Sequence, residues 1–225
     1  MNVFNGAVTV DMPTAAGTLN SRADFTRYHI LAAHNAFQSA TDIESKHEHT
    51  NQVEIINMYI AHISTCIMCC VAALESELNK YIFDYSIQID TYQIHKEPSI
   101  LNKYDHIKDG ALSMQLFENT SFIFKFDVLW FLAHKHLMPE NNLTQNMRYL
   151  SLLRNALTHF TPEWADDLKK HKKLINCYKN RFSLNPYYPQ KETMFFPYRC
   201  LSAACAGWSI RVCEESLRLL PNLHL

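Results

Sequence analysis

The sequence predicts an all-α fold, an up-and-down bundle of five or six helices, and three features lead to this prediction. Only 4 glycines occur among 225 residues, which disfavours folds with many tight turns. Apolar residues recur at steps of three and four over long segments, the spacing that places them on one face of a helix. The composition, 48% hydrophobic and 19% charged, is typical of a globular protein. We expect one helical domain at residues 21–225, preceded by an N-terminal extension at residues 1–20.

The N-terminal extension carries only weak patterns. Asn5-Gly6 lies between two short apolar runs and favours a small β-hairpin. Residues 1–20 contain no charged segment followed by an apolar run, so we expect no signal peptide. The 7 cysteines of the chain are scattered through apolar segments, which is typical of reduced core thiols in a cytoplasmic protein.

Two helices are predicted in the first half of the bundle. The first spans about 22–43 and is followed by a polar break at 45–49. The second spans about 53–85, because its apolar residues form one continuous seam at helical spacing. The residues of this seam are Val53, Ile56, Ile60, Ile63, Ile67, Cys70, Leu74 and Leu78.

The middle of the chain combines a long connection with a strongly apolar helix. Residues 86–110 have mixed polarity and predict the connection. The helix over about 111–137 is apolar on nearly all sides, which predicts a central position in the bundle. Lys125, Asp127 and His134 interrupt its apolar stretch and argue against a membrane span, so we expect no membrane partner.

Three further helices complete the predicted bundle. The first spans about 143–160. Thr161-Pro162-Glu163 then predicts a helix start, with a hydroxyl cap, a proline in the first turn and an acid near the positive end of the helix dipole. Residues 183–192 contain two prolines and predict a loop, and we expect the last helix to begin near Pro197.

The segment from Arg154 to His159 is the best candidate for chemistry. Cleaving RNA without a metal requires the 2′-hydroxyl to lose a proton, the leaving 5′-oxygen to gain one, and the charge on the phosphate to be balanced. His159 suits either proton transfer, because imidazoles exchange protons near neutral pH. Arg154 offers a permanently charged, forked donor for phosphate oxygens. Asn155 can donate to the phosphate or fix the histidine tautomer.

Helix geometry brings only part of this segment together. Asn155 and His159 lie one turn apart and share a face, whereas Arg154 lies roughly 140° around the helix from His159. One such helix also supplies a single histidine, although the acid and base roles would use two. A second copy of the chain across a twofold axis would supply the other, so we expect a homodimer.

Arg154-Asn155-Ala156-Leu157-Thr158-His159 resembles the R-x4-6-H signature of HEPN domains, in which a polar residue often follows the arginine directly. The resemblance covers the motif, its place at a helix end late in the chain, and the helical layout of most of residues 21–220. HEPN domains are helical bundles that usually dimerise and pair their motifs in a cleft that cuts RNA. The resemblance implies a metal-independent endoribonuclease without a cofactor, in which Arg154 binds phosphate, His159 acts as acid or base, and Asn155 supports them.

The resemblance also implies a cellular setting and partners. HEPN domains recur in toxin–antitoxin, abortive-infection and CRISPR-associated defence, so it implies a cytoplasmic homodimer in bacterial defence or stress response. Its substrate would be single-stranded or loop RNA, and an antitoxin or another regulatory protein would be a partner. Some HEPN domains only dimerise or bind, so one alternative is a catalytically inactive bundle that binds RNA, nucleotide or protein. A plain helical scaffold, with Arg154 and His159 apart on the surface, is another.

A lysine cluster after the motif is a candidate for binding the RNA backbone. The net charge of −1 and the pI near 6.9 provide no overall positive field, so an RNA contact would need such a local patch. A solvated helix face explains the cluster equally well, because Asp166 and Asp167 adjoin it. The cluster comprises Lys169, Lys170, Lys172 and Lys173.

Glu75 and Asn79 lie one turn apart beside the seam of the long helix. Similar pairs occur in some HEPN-like bundles, where they brace the motif helix. A hydrogen-bonded pair without catalytic duty is the alternative interpretation.

Metal binding is not expected. Cys66 and Cys70 point into or near the apolar seam, and no second cysteine pair completes four ligands. His134 and His136 are two residues apart, which in a helix would place them on different sides. We interpret the cysteines as core residues.

Overall fold

The computed structural model describes residues 25–46, 52–85, 120–134, 136–159, 169–189 and 194–220. Within these ranges the chain forms six α-helices and one short π-helical segment, and no strand, which confirms the all-α prediction. The hairpin expected at Asn5-Gly6, the 86–110 connection and the helix start expected at Thr161-Pro162-Glu163 lie outside the described residues. The helices are α1 (Phe25–Lys46), α2 (Val53–Tyr85), α3 (Phe122–His134), α4 (Asn142–Thr158), α5 (Lys169–Tyr178) and α6 (Ala203–Leu219), with the π-helical segment Phe195–Arg199 before α6.

The first two helices and α4 lie close to their predicted positions. Helix α2 has the bounds that the sequence predicts, because a long periodic seam leaves little freedom in assigning it. Helix α4 begins at Asn142, where Asn141 and Thr144 form a capping box. Helix α3 lies within the predicted span of 111–137, of which residues 111–119 are outside the described part of the chain.

Helix α2 is the central element of the bundle. Helix α1 packs along it, and α3, α4 and α6 also contact it. Six of the eight predicted seam residues are buried, whereas Ile60 is half-buried and Val53, the first residue of the helix, is 62% exposed. The buried six are Ile56, Ile63, Ile67, Cys70, Leu74 and Leu78.

The stretch Val53–Ile82 of α2 is long and apolar enough to cross a membrane by length and composition. Lys125, Asp127 and His134, on which the expectation of no membrane span rests, interrupt α3 and not this stretch. The same stretch supplies the seam on which α1 and α6 pack, and core helices of that kind have a similar length and composition. Length and composition are therefore weak evidence for a membrane span.

The last helix begins at Ala203 and not near Pro197, which corrects the sequence prediction. Phe196, the residue before the proline, adopts an extended backbone (φ −112°, ψ 134°), as the proline ring favours. The helix starts only at Ser202, whose side chain accepts a hydrogen bond from the Cys205 amide at 3.0 Å. The cap at Ser202, five residues beyond Pro197, therefore defines the helix start, because it satisfies an N–H group that has no partner within the helix.

The Tyr59 hydroxyl joins three helices in the core. It donates to the Glu44 carboxylate near the end of α1 (2.5 Å) and accepts from the Ala203 amide at the start of α6 (2.8 Å). Burial, together with the Glu44 carboxylate, raises the pKa of Tyr59 well above its ordinary value, so the hydroxyl keeps the proton it donates. This one side chain thus fixes the positions of α1 and α6 on α2.

We predict that Tyr59→Phe lowers the free energy of unfolding by about 1–3 kcal/mol, because the buried Ala203 amide loses its acceptor. Urea denaturation measures the change. Tyr28→Phe is the matched control, since Tyr28 is 65% exposed and its replacement should change stability by less than about 0.5 kcal/mol. Equal stability of the two variants would contradict the bridging role of Tyr59.

Candidate functional site

A polar cleft of about 350 Å³ opens between α2, the start of α3 and the second half of α4. Ser151, Arg154 and Asn155 share one face of α4 at helical spacing and form one wall. Among the described residues, Phe122 is the apolar member of the lining. The polar members are Glu75, Asn79, Thr120, Ser121, Lys125, Ser151, Arg154 and Asn155.

Arg154 is held against the cleft wall by two hydrogen bonds. Its Nη2 donates to Glu75 Oε1 at 2.8 Å and its Nη1 donates to Asn155 Oδ1 at 3.1 Å. The side chains of Arg154 and Glu75 are 29% and 31% exposed, so the pair lies at the border of core and solvent. A guanidinium has five N–H donors, and the two bonds leave three that can reach a ligand. The arrangement orients the arginine without consuming its capacity to bind an anion.

Lys125 is the functional candidate that the sequence analysis missed. It is 1% exposed, lines the cleft from α3, and its ammonium donates to Asn79 Oδ1 at 2.7 Å. A buried charge is costly unless it is bonded, so a lysine in an otherwise apolar helix indicates a polar partner on a neighbouring element. The lysine was visible in the sequence as a charge within an apolar stretch. Its partner Asn79, 46 residues away, could not be identified from the sequence.

Glu75 and Asn79 therefore contact two different helices. Glu75 contacts the motif helix α4 through Arg154, as expected for a bracing residue, whereas Asn79 contacts α3 through Lys125. The two residues lie on successive turns of α2, so the two cations that they bind are anchored on successive turns as well. Among its described lining residues the cleft therefore has two positive side chains beside one carboxylate.

His159 lies outside this cleft. It directly follows α4, with a non-helical backbone (φ −113°, ψ 36°), and its amide bonds to the Asn155 carbonyl at 2.9 Å. The imidazole is exposed and not buried in the core. It does not line the cleft that holds Arg154 and Asn155, so one copy of the chain does not gather the three motif side chains. The gap that the helical wheel predicts between Arg154 and His159 is therefore present, but Asn155, which was expected to share a face with His159, lines the cleft with Arg154 instead.

The lysine cluster lies on α5. Lys172 and Lys173 are exposed, which is required both for an RNA-binding patch and for a solvated helix face. The side chains of Lys169 and Lys170 lie outside the described part of the structure, as do Asp166 and Asp167. None of the four lysines is among the described residues that line the cleft.

The cysteines of α2 are core residues. Cys66 and Cys70 are fully or almost fully buried, and hydrogen bonds with Cys213 and Cys66 raise the pKa of Cys70 well above its ordinary value. Burial raises the pKa of Cys69 too. In the described ranges no group of three or more histidine, cysteine, aspartate or glutamate side chains is placed to hold a metal ion.

The two histidines at the end of α3 correct a sequence expectation. His134 and His136 do not lie on different sides, because α3 ends at His134 and His136 lies beyond the helix. Their rings are nearly parallel, with centroids 5.8 Å apart, and both lie near the Trp130 ring. Both imidazoles are exposed.

We predict a measurable coupling between Glu75 and Arg154. A double-mutant cycle with Glu75→Ala and Arg154→Ala should give about 0.2–1 kcal/mol in the free energy of unfolding, as is usual for partly exposed ion pairs. The comparison pair is Glu77 and Lys80, whose contact of 3.8 Å is longer and should couple less. Coupling no larger than in that pair would show that the 2.8 Å contact does not form in solution.

Comparisons with known proteins provide no relative from which a function could be transferred. No protein-family model matches the chain, and neither a curated protein nor a solved structure matches it at a significant level. What this site binds or catalyses is therefore inferred from its own side chains and from the motif that includes Arg154 and His159.

Proposed function

We propose that the protein is a metal-independent endoribonuclease of the HEPN type that cleaves single-stranded or loop RNA. The observation that carries the proposal is the presentation of Arg154. Glu75 and Asn155 orient its guanidinium in a polar cleft, and an exposed His159 directly follows the same helix. The resemblance of residues 154–159 to the R-x4-6-H signature supplies the reaction class.

The chemistry follows from the properties of these side chains. A histidine removes the proton of the 2′-hydroxyl, the 2′-oxygen attacks the neighbouring phosphorus, and the bond to the 5′-oxygen breaks. A second acid gives a proton to the leaving 5′-oxygen, so the products are a 2′,3′-cyclic phosphate and a 5′-hydroxyl. Arg154 balances the charge that builds up on the phosphate oxygens, and the amide group of Asn155 donates to the same phosphate.

The position of His159 outside the cleft supports a site shared by two chains. Each chain contributes one such histidine, whereas the reaction uses both an acid and a base. A twofold axis that passes near the C-terminal end of α4 would bring two copies of Arg154 and His159 around one RNA phosphate. The proposed enzyme is therefore a homodimer with a composite site.

The cellular role that we propose follows from the family resemblance. HEPN domains recur in bacterial defence systems, and an endoribonuclease acting there would also meet RNA of its own cell. Such an enzyme needs restraint, and an antitoxin or another regulatory protein would provide it by covering the cleft. This role would place the protein in the cytoplasm, where its RNA substrate is found.

One observation favours a second candidate function, a catalytically inactive module that binds RNA, nucleotide or protein. Arg154 is paired with Glu75, and His159 does not line the cleft with it. A module of this kind would use the polar cleft for binding and would not require the histidine. Cleavage assays with the variants below separate the two candidates.

We predict that the purified protein cleaves RNA in the presence of EDTA. Arg154→Ala and His159→Ala should each lower the cleavage rate by at least about 100-fold, because each removes charge balance or proton transfer from the reaction. Gel analysis of a labelled single-stranded RNA measures the rate, and end-group analysis tests for the cyclic phosphate.

Matched controls exclude indirect effects on cleavage. Arg148→Ala removes a different arginine of α4, one that pairs with Glu140. His136→Ala removes an exposed histidine outside the motif. Both should cleave at the wild-type rate. His159→Ala should change the free energy of unfolding by less than about 0.5 kcal/mol, because the side chain is exposed. No cleavage by the wild type under any condition would favour the binding module.

We also predict that the protein is a dimer at micromolar concentration. Sedimentation equilibrium should give about twice the chain mass of 26.2 kDa. A monomer that nevertheless cleaves RNA at the same rate per chain at all concentrations would contradict the composite site, although not the nuclease activity.

A further inference from the structure

The polar cleft holds two cations side by side. Arg154 is bound to Glu75 at 2.8 Å and Lys125 is bound to Asn79 at 2.7 Å. Glu75 and Asn79 are four residues apart on α2, and side chains at that spacing have Cβ atoms roughly 5–6 Å apart. The guanidinium and the ammonium are therefore anchored at neighbouring points of one wall, and both residues line the same cleft.

Further donors surround the same space. The hydroxyl of Ser151 and the amide of Asn155 line it from α4, and the hydroxyl of Ser121 lines it at the start of α3. Ser121 accepts a hydrogen bond from the Phe124 amide at 3.4 Å, so the amino-terminal end of α3, with its positive dipole, borders the cleft. Among the described lining residues two cations stand beside one carboxylate, which favours an anionic ligand.

The arrangement suits a phosphate better than a carboxylate. The donors come from separate walls, on α3 and on α4, and a planar carboxylate offers only two oxygens to meet them. A phosphate presents its oxygens in tetrahedral directions and can accept from several walls at once. The burial of Lys125, at 1% exposure, strengthens its attraction for such an anion, because solvent screens a buried charge less.

We propose that this cleft is a phosphate-ester binding site contained in one protomer, with Lys125 providing charge beside Arg154. The site lies apart from His159, so it does not depend on the second histidine or on the dimer. The assignment of this site to RNA deepens the proposed nuclease function and rests on it. The binding of a phosphate group does not rest on that function. The phosphate could belong to the RNA backbone or to a nucleotide or free phosphate.

Isothermal titration calorimetry on the full chain tests the site with defined probes. The titrants are inorganic phosphate, adenosine 5′-monophosphate, adenosine as the uncharged control, and a short single-stranded RNA without terminal phosphates. His159→Ala serves as the background for all titrations, so that RNA is not cleaved during the measurement. We expect binding of at least one phosphate-bearing probe, no binding of adenosine, and weakening of the binding by added salt.

Two variants locate the binding. Lys125→Met keeps much of the side-chain length and removes the charge, and it should raise the Kd by at least about tenfold. Since this change could unfold the core, Ser121→Asp provides a second test. Aspartate preserves the acceptor for the Phe124 amide but places a negative charge at the cleft, so the Kd should also rise by at least about tenfold. Lys46→Met, on the exposed end of α1, is the control and should bind as before.

The outcomes separate this site from the nuclease proposal. Binding of phosphate or nucleotide, but not of the RNA, assigns the site to a nucleotide or free phosphate, and binding of the RNA alone assigns it to the backbone. If no phosphate-bearing probe binds, or if Ser121→Asp binds the probe as tightly as the His159→Ala protein without that change, the site is refuted. If phosphate binds and Ser121→Asp weakens that binding, but the wild-type protein does not cleave RNA, the phosphate site is supported and the nuclease proposal is refuted.

Discussion

Helix α2 has to bury one seam from Ile56 to Leu78 while it keeps polar residues at the edge of that seam, and the rest of the bundle is arranged around this requirement. The seam fixes the rotation of α2, because any other rotation would expose its apolar residues to water. With the rotation fixed, Glu75 and Asn79 point toward the gap between α3 and α4. The polar cleft is thus a consequence of how the central helix packs.

The two polar residues of α2 also explain why cations are found in this part of the bundle. Lys125 lies buried in a mostly apolar helix, and the Asn79 oxygen helps to offset the cost of burying its charge there. Arg154 lies nearer to solvent, where its pair with Glu75 contributes less to stability but restricts the direction of the guanidinium. The contact with Asn79 lowers the cost of burying the Lys125 charge, and the contact with Glu75 orients the more accessible charge of Arg154.

The sequence predicts the features that depend on long periodic patterns and misses those that depend on tertiary contacts. The bounds of α2 follow from its seam, and the motif helix follows from its own apolar stripe. The start of α6 does not, because the chain continues past Pro197 to a better cap at Ser202. Lys125 was visible as a charge in an apolar helix, but its place beside Arg154 depends on two contacts across α2 that no local pattern encodes.

The pairing of Arg154 with Glu75 has a consequence for how the proposed site would act. In one chain the Glu75 carboxylate offsets one of the two cations among the described cleft residues, so the proposed attraction for an RNA phosphate would be reduced, and salt would screen it within about 10 Å at moderate ionic strength. Two clefts close to a twofold axis would add their fields along one RNA strand and would bring the second histidine within reach of the same phosphate. Assembly would then strengthen substrate binding and complete the acid and base pair in a single step. An isolated chain would keep its phosphate affinity but lack the chemistry, which is a simple physical means of keeping a ribonuclease inactive until it dimerises.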